Sequence, residues 1–141
     1  MGITEGRVVR LKGWRHLPEP REQLRNHVFN LGELMLHDHS AIDRNTVALH
    51  VTNVQRDQLP RRRISSTDVL VRALAQVECP VAAIYGACDA LYPGTLDEVE
   101  GLMAAHARHW QGMQRIAGAG HWVQYESPAA FHAALLPLLA A

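Results

Sequence analysis

Apolar positions recur at helical spacing through the first half of the chain and in short unbroken runs through the second, with Pro80 at the division. From Glu19 onward Leu24, Val28, Leu31 and Met35 fall at intervals of three or four residues. That spacing predicts an amphipathic helix to about His37, with Gly32 a weak point inside it. Ser40, followed three residues later by Asp43, fits a capping-box arrangement. It predicts a second helix from Ala41 to about Arg56, with Ile42, Val47, Val51 and Val54 on or near one face. Ser66 or Thr67 is placed to cap a short third helix through Ala75, with Leu70 and Leu74 inward. Residues 7–11 read as a short extended piece, and Pro60 with the arginines after it as a loop.

After Pro80 the period changes. Val81-Ala82-Ala83-Ile84-Tyr85-Gly86 is a compact apolar run between Pro and Gly, the pattern of a strand buried in a parallel sheet. Pro93-Gly94 marks a turn, and Thr95 caps a helix to about His109 whose inner stripe is Leu96, Val99, Leu102, Met103 and His106. Gly112 to Ala117 is a second short strand, and Gly118-Ala119-Gly120 a tight loop. Pro128 opens a last helix in its first turn, where the missing N–H costs little. There Phe131, Leu135, Leu138 and Leu139 face inward, and Pro137 is expected to kink or end the helix. Strand, helix, strand, helix at these lengths is α/β architecture. Two strands alone leave hydrogen-bonding edges and an apolar face uncovered, so part of the sheet is missing from the pattern.

Composition narrows the function classes. The 141 residues are 48% hydrophobic, and 14 Lys+Arg balance 14 Asp+Glu. A neutral chain lacks the basic surplus of a nucleic-acid binder. The run Arg61, Arg62, Arg63, with Arg56 and Arg72 near it, reads as a solvated face. Cys79 and Cys88 fit neither a CxxC motif nor a disulfide framework, so both are read as reduced thiols and the protein as cytoplasmic. The first residues show no apolar stretch of a secretory leader, and no run is long enough to span a membrane.

Two segments carry chemistry. Ile84-Tyr85-Gly86-Ala87-Cys88-Asp89 sets a carboxylate just past the first strand, and Gly118-Ala119-Gly120-His121-Trp122 sets an imidazole just past the second. In parallel α/β sheets functional groups gather beyond the carboxyl ends of strands. Adjacent strands would therefore bring Asp89 and His121 side by side. A carboxylate on Nδ1–H fixes the tautomer of the imidazole and stabilises the imidazolium formed when Nε2 takes a proton. The glycines allow tight backbone geometry and close approach of a substrate.

On these residues the chain from Pro80 to Leu139 resembles the C-terminal third of α/β-hydrolases. The stretch Gly120-His121-Trp122-Val123-Gln124-Tyr125-Glu126-Ser127-Pro128 looks most like the histidine loop of meta-cleavage-product hydrolases and related esterases. Residues of about 20–75 are similar to the helical cap that this superfamily inserts before the acid-bearing strand. The resemblance implies a partial α/β-hydrolase fold: a connecting segment (1–18), a helical cap-like region (19–76), then two strands and two helices of the core (77–141). It implies Asp89 as triad acid, His121 as general base and Trp122 as a neighbour lining the substrate pocket. It implies hydrolysis of an ester, or of a C–C bond next to a carbonyl, in a small apolar substrate without a cofactor.

The chain departs from that family in one large respect. Its four serines, Ser40, Ser65, Ser66 and Ser127, lie outside any G-x-S-x-G elbow, and the oxyanion loop is also absent. The chain therefore reads as a truncated hydrolase, expected to be inactive or very weak alone because nucleophile and oxyanion donors supply much of the rate. Cys88 shares the loop of the acid rather than sitting at a strand-to-helix elbow, and is not read as a nucleophile. His37-Asp38-His39 and the pair His106 and His109 lack the pattern of a metal site, so no metal is expected. The expected partners are a small-molecule substrate and either a second copy of the chain or a complementing N-terminal half, with no nucleic acid and no membrane. The competing reading is a non-catalytic interaction domain that self-associates through its exposed strand edges.

Overall fold

A computed structural model describes residues 8–57 and 67–140. The helices are α1 (Pro20–Asn30), α2 (Arg44–Arg56), α3 (Val69–Leu74), α4 (Leu96–His106), α5 (Val123–Glu126) and α6 (Pro128–Leu139). The strands are β1 (Val81–Gly86) and β2 (Trp110–Ile116), which pair in parallel with α4 as the crossover between them. No helix among the described residues is long and apolar enough to cross a membrane.

The sheet half of the sequence reading holds closely. β1 has the expected bounds, and β2 begins two residues earlier than expected, at Trp110. The register passes from Val81 opposite Trp110 to Ala83 opposite Met113, so β2 carries one extra residue there. Gly112 lies in that bulge at φ +103°, a conformation that suits glycine. Leu74, Ala83, Tyr92, Leu96, Val99, Met103 and Ala107 form one core cluster between α3, α4 and the sheet. Val99 is fully buried; burying such a side chain contributes about 1.5–3 kcal/mol. Arg115 of β2 bridges Asp97 and Glu100 of α4 at 2.6 and 2.7 Å, tying helix to strand from the outside.

The helical half departs from the expectation in several places. Instead of one helix to His37, α1 ends at Asn30 and a π turn follows over Leu31–Met35, closed by Leu36 N–H donating to Leu31 O at 3.0 Å. Leu24 and Val28, expected inside, are exposed, while His27, Asn30 and Leu31 are buried. The buried Asn30 is satisfied by the backbone of Lys12: its Oδ1 accepts from Lys12 N–H at 2.7 Å and its Nδ2 donates to Lys12 O at 2.9 Å. Residues 8–11 have no regular secondary structure.

The second helix is capped by Asp43 rather than Ser40. The Asp43 carboxylate accepts from Thr46 N–H at 2.8 Å, and Asp38 caps a separate 3₁₀ turn over His39–Ala41. Leu31, Leu36 and Val47 form a second core cluster, joined at its rim by Met35, Ile42, Val51 and Trp122. In the third helix Leu74 is inward as expected but Leu70 is exposed. Asp68, with Thr67 before it, precedes the first turn; Ser66, Pro60 and Arg61 to Arg63 lie outside the described residues.

α4 stops at His106, where Nδ1–H donates to Leu102 O at 2.9 Å. α6 runs through Pro137 to Leu139. Phe131, Leu135 and Leu138 are half-buried, whereas Leu139, expected inward, is 73% exposed. No residue of α6 is buried, so this apolar helix lies on the strands with much of its surface uncovered.

Candidate active site

The loop after β1 turns tightly on itself. Asp89 N–H donates to Gly86 O at 3.1 Å and Tyr92 N–H to Asp89 O at 3.1 Å. This turn swings the Asp89 carboxylate inward, leaving its side chain 3% exposed. Oδ1 accepts from Leu91 N–H at 2.9 Å. Oδ2 lies 2.9 Å from Nδ1 of His121. Two side chains 32 positions apart in sequence therefore meet beyond the ends of adjacent parallel strands, as the sequence pattern predicts.

The second loop is bound to the first by backbone. Ala87 N–H donates to Ile116 O and Cys88 N–H to Ala119 O, each at 2.9 Å. The approach is so close that a Cβ on Gly86 would overlap the carbonyl oxygens of Ala119 and Gly120. Gly120 is equally confined, with His37 N 2.7 Å from where its Cβ would stand. Gly86 thus allows the two loops to touch, and Gly120 lets the histidine loop approach the backbone of residues 35–37.

The imidazole of His121 is ordered against the Asp89 carboxylate. Its Nδ1 faces a buried carboxylate, which makes Nδ1 the protonated nitrogen and leaves Nε2 with its lone pair. Nε2 has no hydrogen-bond partner among the described residues, and the side chain is 22% exposed, so the ring is reachable while its acid is not. Tyr85, inside the sheet, has its phenol pushed above the usual range by burial and then by the Asp89 charge. It stays a neutral neighbour beside that carboxylate.

Trp122 is half-buried at the junction of the loop and the N-terminal helices, with its N–H donating to Met35 O at 2.8 Å. Its ring continues a series of aromatic contacts: Trp14 to His27 at 4.6 Å, His27 to His50 at 5.3 Å, His50 to Trp122 at 6.2 Å and Trp122 to Tyr125 at 5.9 Å. Burial holds the imidazoles of His27 and His50 below their usual pKa, helped by Arg15 for His27 and by His27 for His50. Nδ1 of His27 is buried without a hydrogen-bond partner. Neither histidine is singled out by the sequence, although each has apolar residues at helical spacing, Leu24 and Leu31 for His27 and Val47 and Val54 for His50.

An open cleft of about 490 Å³ does not touch Asp89 or His121. Trp14, Leu34, Met35, His50 and Val54 line part of it. A smaller cavity of about 90 Å³ lies against the acid and histidine loops, lined by Leu34, Leu36, His37, Cys88, Ala90 and Gly120. Leu34 faces both. Cys88 therefore reaches a cavity, although it stays on the loop of the acid. No group of three or more His, Cys, Asp or Glu side chains is clustered for metal binding among the described residues. Cys79 and Cys88 are free thiols.

One residue of the histidine loop escapes the sequence reading. Glu126 Oε2 accepts from Gly120 N–H at 2.5 Å and Oε1 accepts from Asp38 N–H at 2.5 Å. The second bond spans 88 positions, which no local pattern reports. A lone carboxylate at the end of a four-residue helix, just before Ser127-Pro128, is the only trace it leaves in the sequence.

Comparison with known proteins identifies the architecture. No family model matches the chain, and no curated protein sequence matches it. Solved structures do. A mutant of the meta-cleavage product hydrolase CumD from Pseudomonas fluorescens superposes with TM-score 0.63 at 17% identity, covering 99% of this chain and 54% of that one. The chain has a partial α/β-hydrolase fold. Cfl2 from Burkholderia cenocepacia gives TM-score 0.61 at 19% identity over 88% of this chain, and the esterase RhEst1 from Rhodococcus gives 0.54 at 14% over 89%. The chain spans about half the length of these hydrolase-fold structures.

Proposed function

We propose that the chain supplies the acid and the general base of a Ser-His-Asp hydrolase, with the serine contributed by sequence outside these 141 residues. The observation that carries this reading is the 2.9 Å contact between His121 Nδ1 and the buried Asp89 carboxylate at the carboxyl ends of paired strands. Asp89 is the acid that orients the ring, and His121 the base. Nε2 takes the proton of the attacking hydroxyl, the imidazolium is stabilised by Asp89, and the same proton passes to the leaving group. Trp122 borders the substrate pocket. Residues 19–76 act as a cap over that pocket, 77–141 as the C-terminal part of the core, and 1–18 as the connection between cap and missing core. The substrate class is a small apolar ester, or a ketone cleaved at the adjacent C–C bond, and the chemistry requires no cofactor. The two free thiols agree with a reducing, cytoplasmic setting.

The test is reconstitution with an N-terminal half that provides a strand, a G-x-S-x-G elbow and its helix, assayed on aryl esters. Hydrolysis should appear in the complex, and Asp89→Asn or His121→Ala should reduce kcat by about 10,000-fold. Reconstituted activity indifferent to both substitutions would remove the assignment.

The second reading, a non-catalytic domain that self-associates, is favoured by the two-stranded sheet and by the exposed Leu136 and Leu139 of α6. Light scattering separates the two: a defined homodimer that survives dilution supports association, and a monomer that binds only the N-terminal half supports the hydrolase.

A further inference from the structure

The His121 loop is held from both sides. Ahead of the histidine, Gly120 N–H donates to Glu126 Oε2; behind it, Trp122 N–H donates to Met35 O. The other oxygen of Glu126 accepts from Asp38 N–H, three residues past that same Met35. One carboxylate thus joins the peptide that leads into His121 to the segment leaving the π turn. The geometry leaves little slack. Gly120 has no room for a Cβ, and Asp38 is itself fixed because its own Oδ1 accepts from Ser40 N–H at 2.8 Å. α5, which carries Glu126, is anchored by Tyr125, whose hydroxyl lies 2.8 Å from Thr46 Oγ1.

We infer that Glu126 is a positioning residue for His121, coupling the N-terminal helices to the orientation of the imidazole against Asp89. The inference rests on the proposed role of the Asp89–His121 pair and extends it to a residue that touches neither side chain. A carboxylate is suited to the task because each oxygen accepts a separate charge-assisted bond from a backbone N–H. An amide offers one good acceptor and one donor, and a donor facing a backbone N–H is repelled. Glu126→Gln therefore keeps one of the two ties at most, and Glu126→Ala keeps neither.

The experiment is NMR on the full 141-residue chain, with imidazole and amide nitrogen labels. In the wild-type chain His121 should show the Nδ1–H tautomer with a downfield ring proton, abolished by Asp89→Asn. In Glu126→Ala that proton should broaden or vanish, and the Gly120 and Asp38 amides should exchange with solvent at least about tenfold faster. Glu126→Gln, close in shape, should lose protection at one of those amides and shift the ring signal less. Tyr125→Phe, which loosens the same short helix without touching either amide, serves as the control for general destabilisation and should leave the ring signal in place. An unchanged ring proton and unchanged Gly120 and Asp38 protection in Glu126→Ala would overturn the role, as would loss of the ring signal in the Tyr125→Phe control to the same extent. If Asp89→Asn leaves the wild-type ring signal intact, the acid–base pair itself fails, and the amide exchange still reports whether Glu126 holds the loop.

Discussion

Thr46 Oγ1 and the Tyr125 hydroxyl lie 2.8 Å apart, joining the first turn of α2 to the short helix after the histidine across 79 sequence positions. Thr46 is 1% exposed, and its hydroxyl also contacts Ala41 O and Asp43 Oδ1. Tyr125→Phe removes one partner from a hydroxyl that retains others. The expected loss is about 0.5–1.5 kcal/mol, read as a lower urea midpoint at unchanged slope. Thr46→Val removes the shared hydroxyl and the second anchor of the helix cap, and should cost more.

Two glycines should respond in opposite directions to alanine. A Cβ on Gly86 meets backbone of the histidine loop, which cannot rotate away as a side chain would. Gly86→Ala should cost about 1–3 kcal/mol or more and part the two loops. Gly101 lies within α4 with open space at its Cβ position. Gly101→Ala should stabilise by about 0.5–1 kcal/mol, because alanine loses less backbone freedom in a helix. Thermal melts of the two variants measured side by side check both signs.

His27 and His50 give stability a pH dependence. Both are held below the usual imidazole pKa, chiefly by burial, so the unfolded chain binds protons more readily than the folded one. Their contribution is fully present above the unfolded value of about 6.5 and is lost as pH falls through it toward the depressed folded values. Urea midpoints should therefore decline from pH 7.5 to pH 5 (chosen to bracket that value of about 6.5). His27→Phe and His50→Phe keep an aromatic ring but cannot titrate, and each should flatten the decline.

Asn30 holds the irregular segment before α1 with a donor and an acceptor used on the same residue, Lys12. Asn30→Ala should cost about 1–3 kcal/mol, since both backbone groups lose their partner at a largely buried position. Asn30→Asp keeps the acceptor for Lys12 N–H and sets an oxygen against Lys12 O. Hydrogen exchange at Lys12 should rise sharply in the alanine variant and less in the aspartate one.

What the sequence makes legible here is local. Pro80 and Gly86 bound a strand, and a short run past each strand brings Asp89 and His121 to one place, because parallel strands joined by one helix leave those loops adjacent. The helical half is less legible because its faces are set by partners far along the chain. Leu24 and Val28 mark a helix at the right period, yet the face that turns inward carries His27 and Asn30, made acceptable by Trp14 and by the backbone of Lys12. Ser40 looks like a cap until Asp38 and Asp43 divide that work between two separate turns. Glu126 has the same character: its role exists only once Gly120 and Asp38 are neighbours.

The π turn over Leu31–Met35 acts as a length gauge. Its exit delivers the Met35 carbonyl and the Asp38 amide to the two flanks of His121, and both must arrive in phase. One residue more or fewer in that turn would rotate everything after it by about 100°. The count of residues between Leu31 and Asp38 is then as constrained as the identity of any one of them. A deletion there, far from the histidine in sequence, should disable its loop as surely as a change within it.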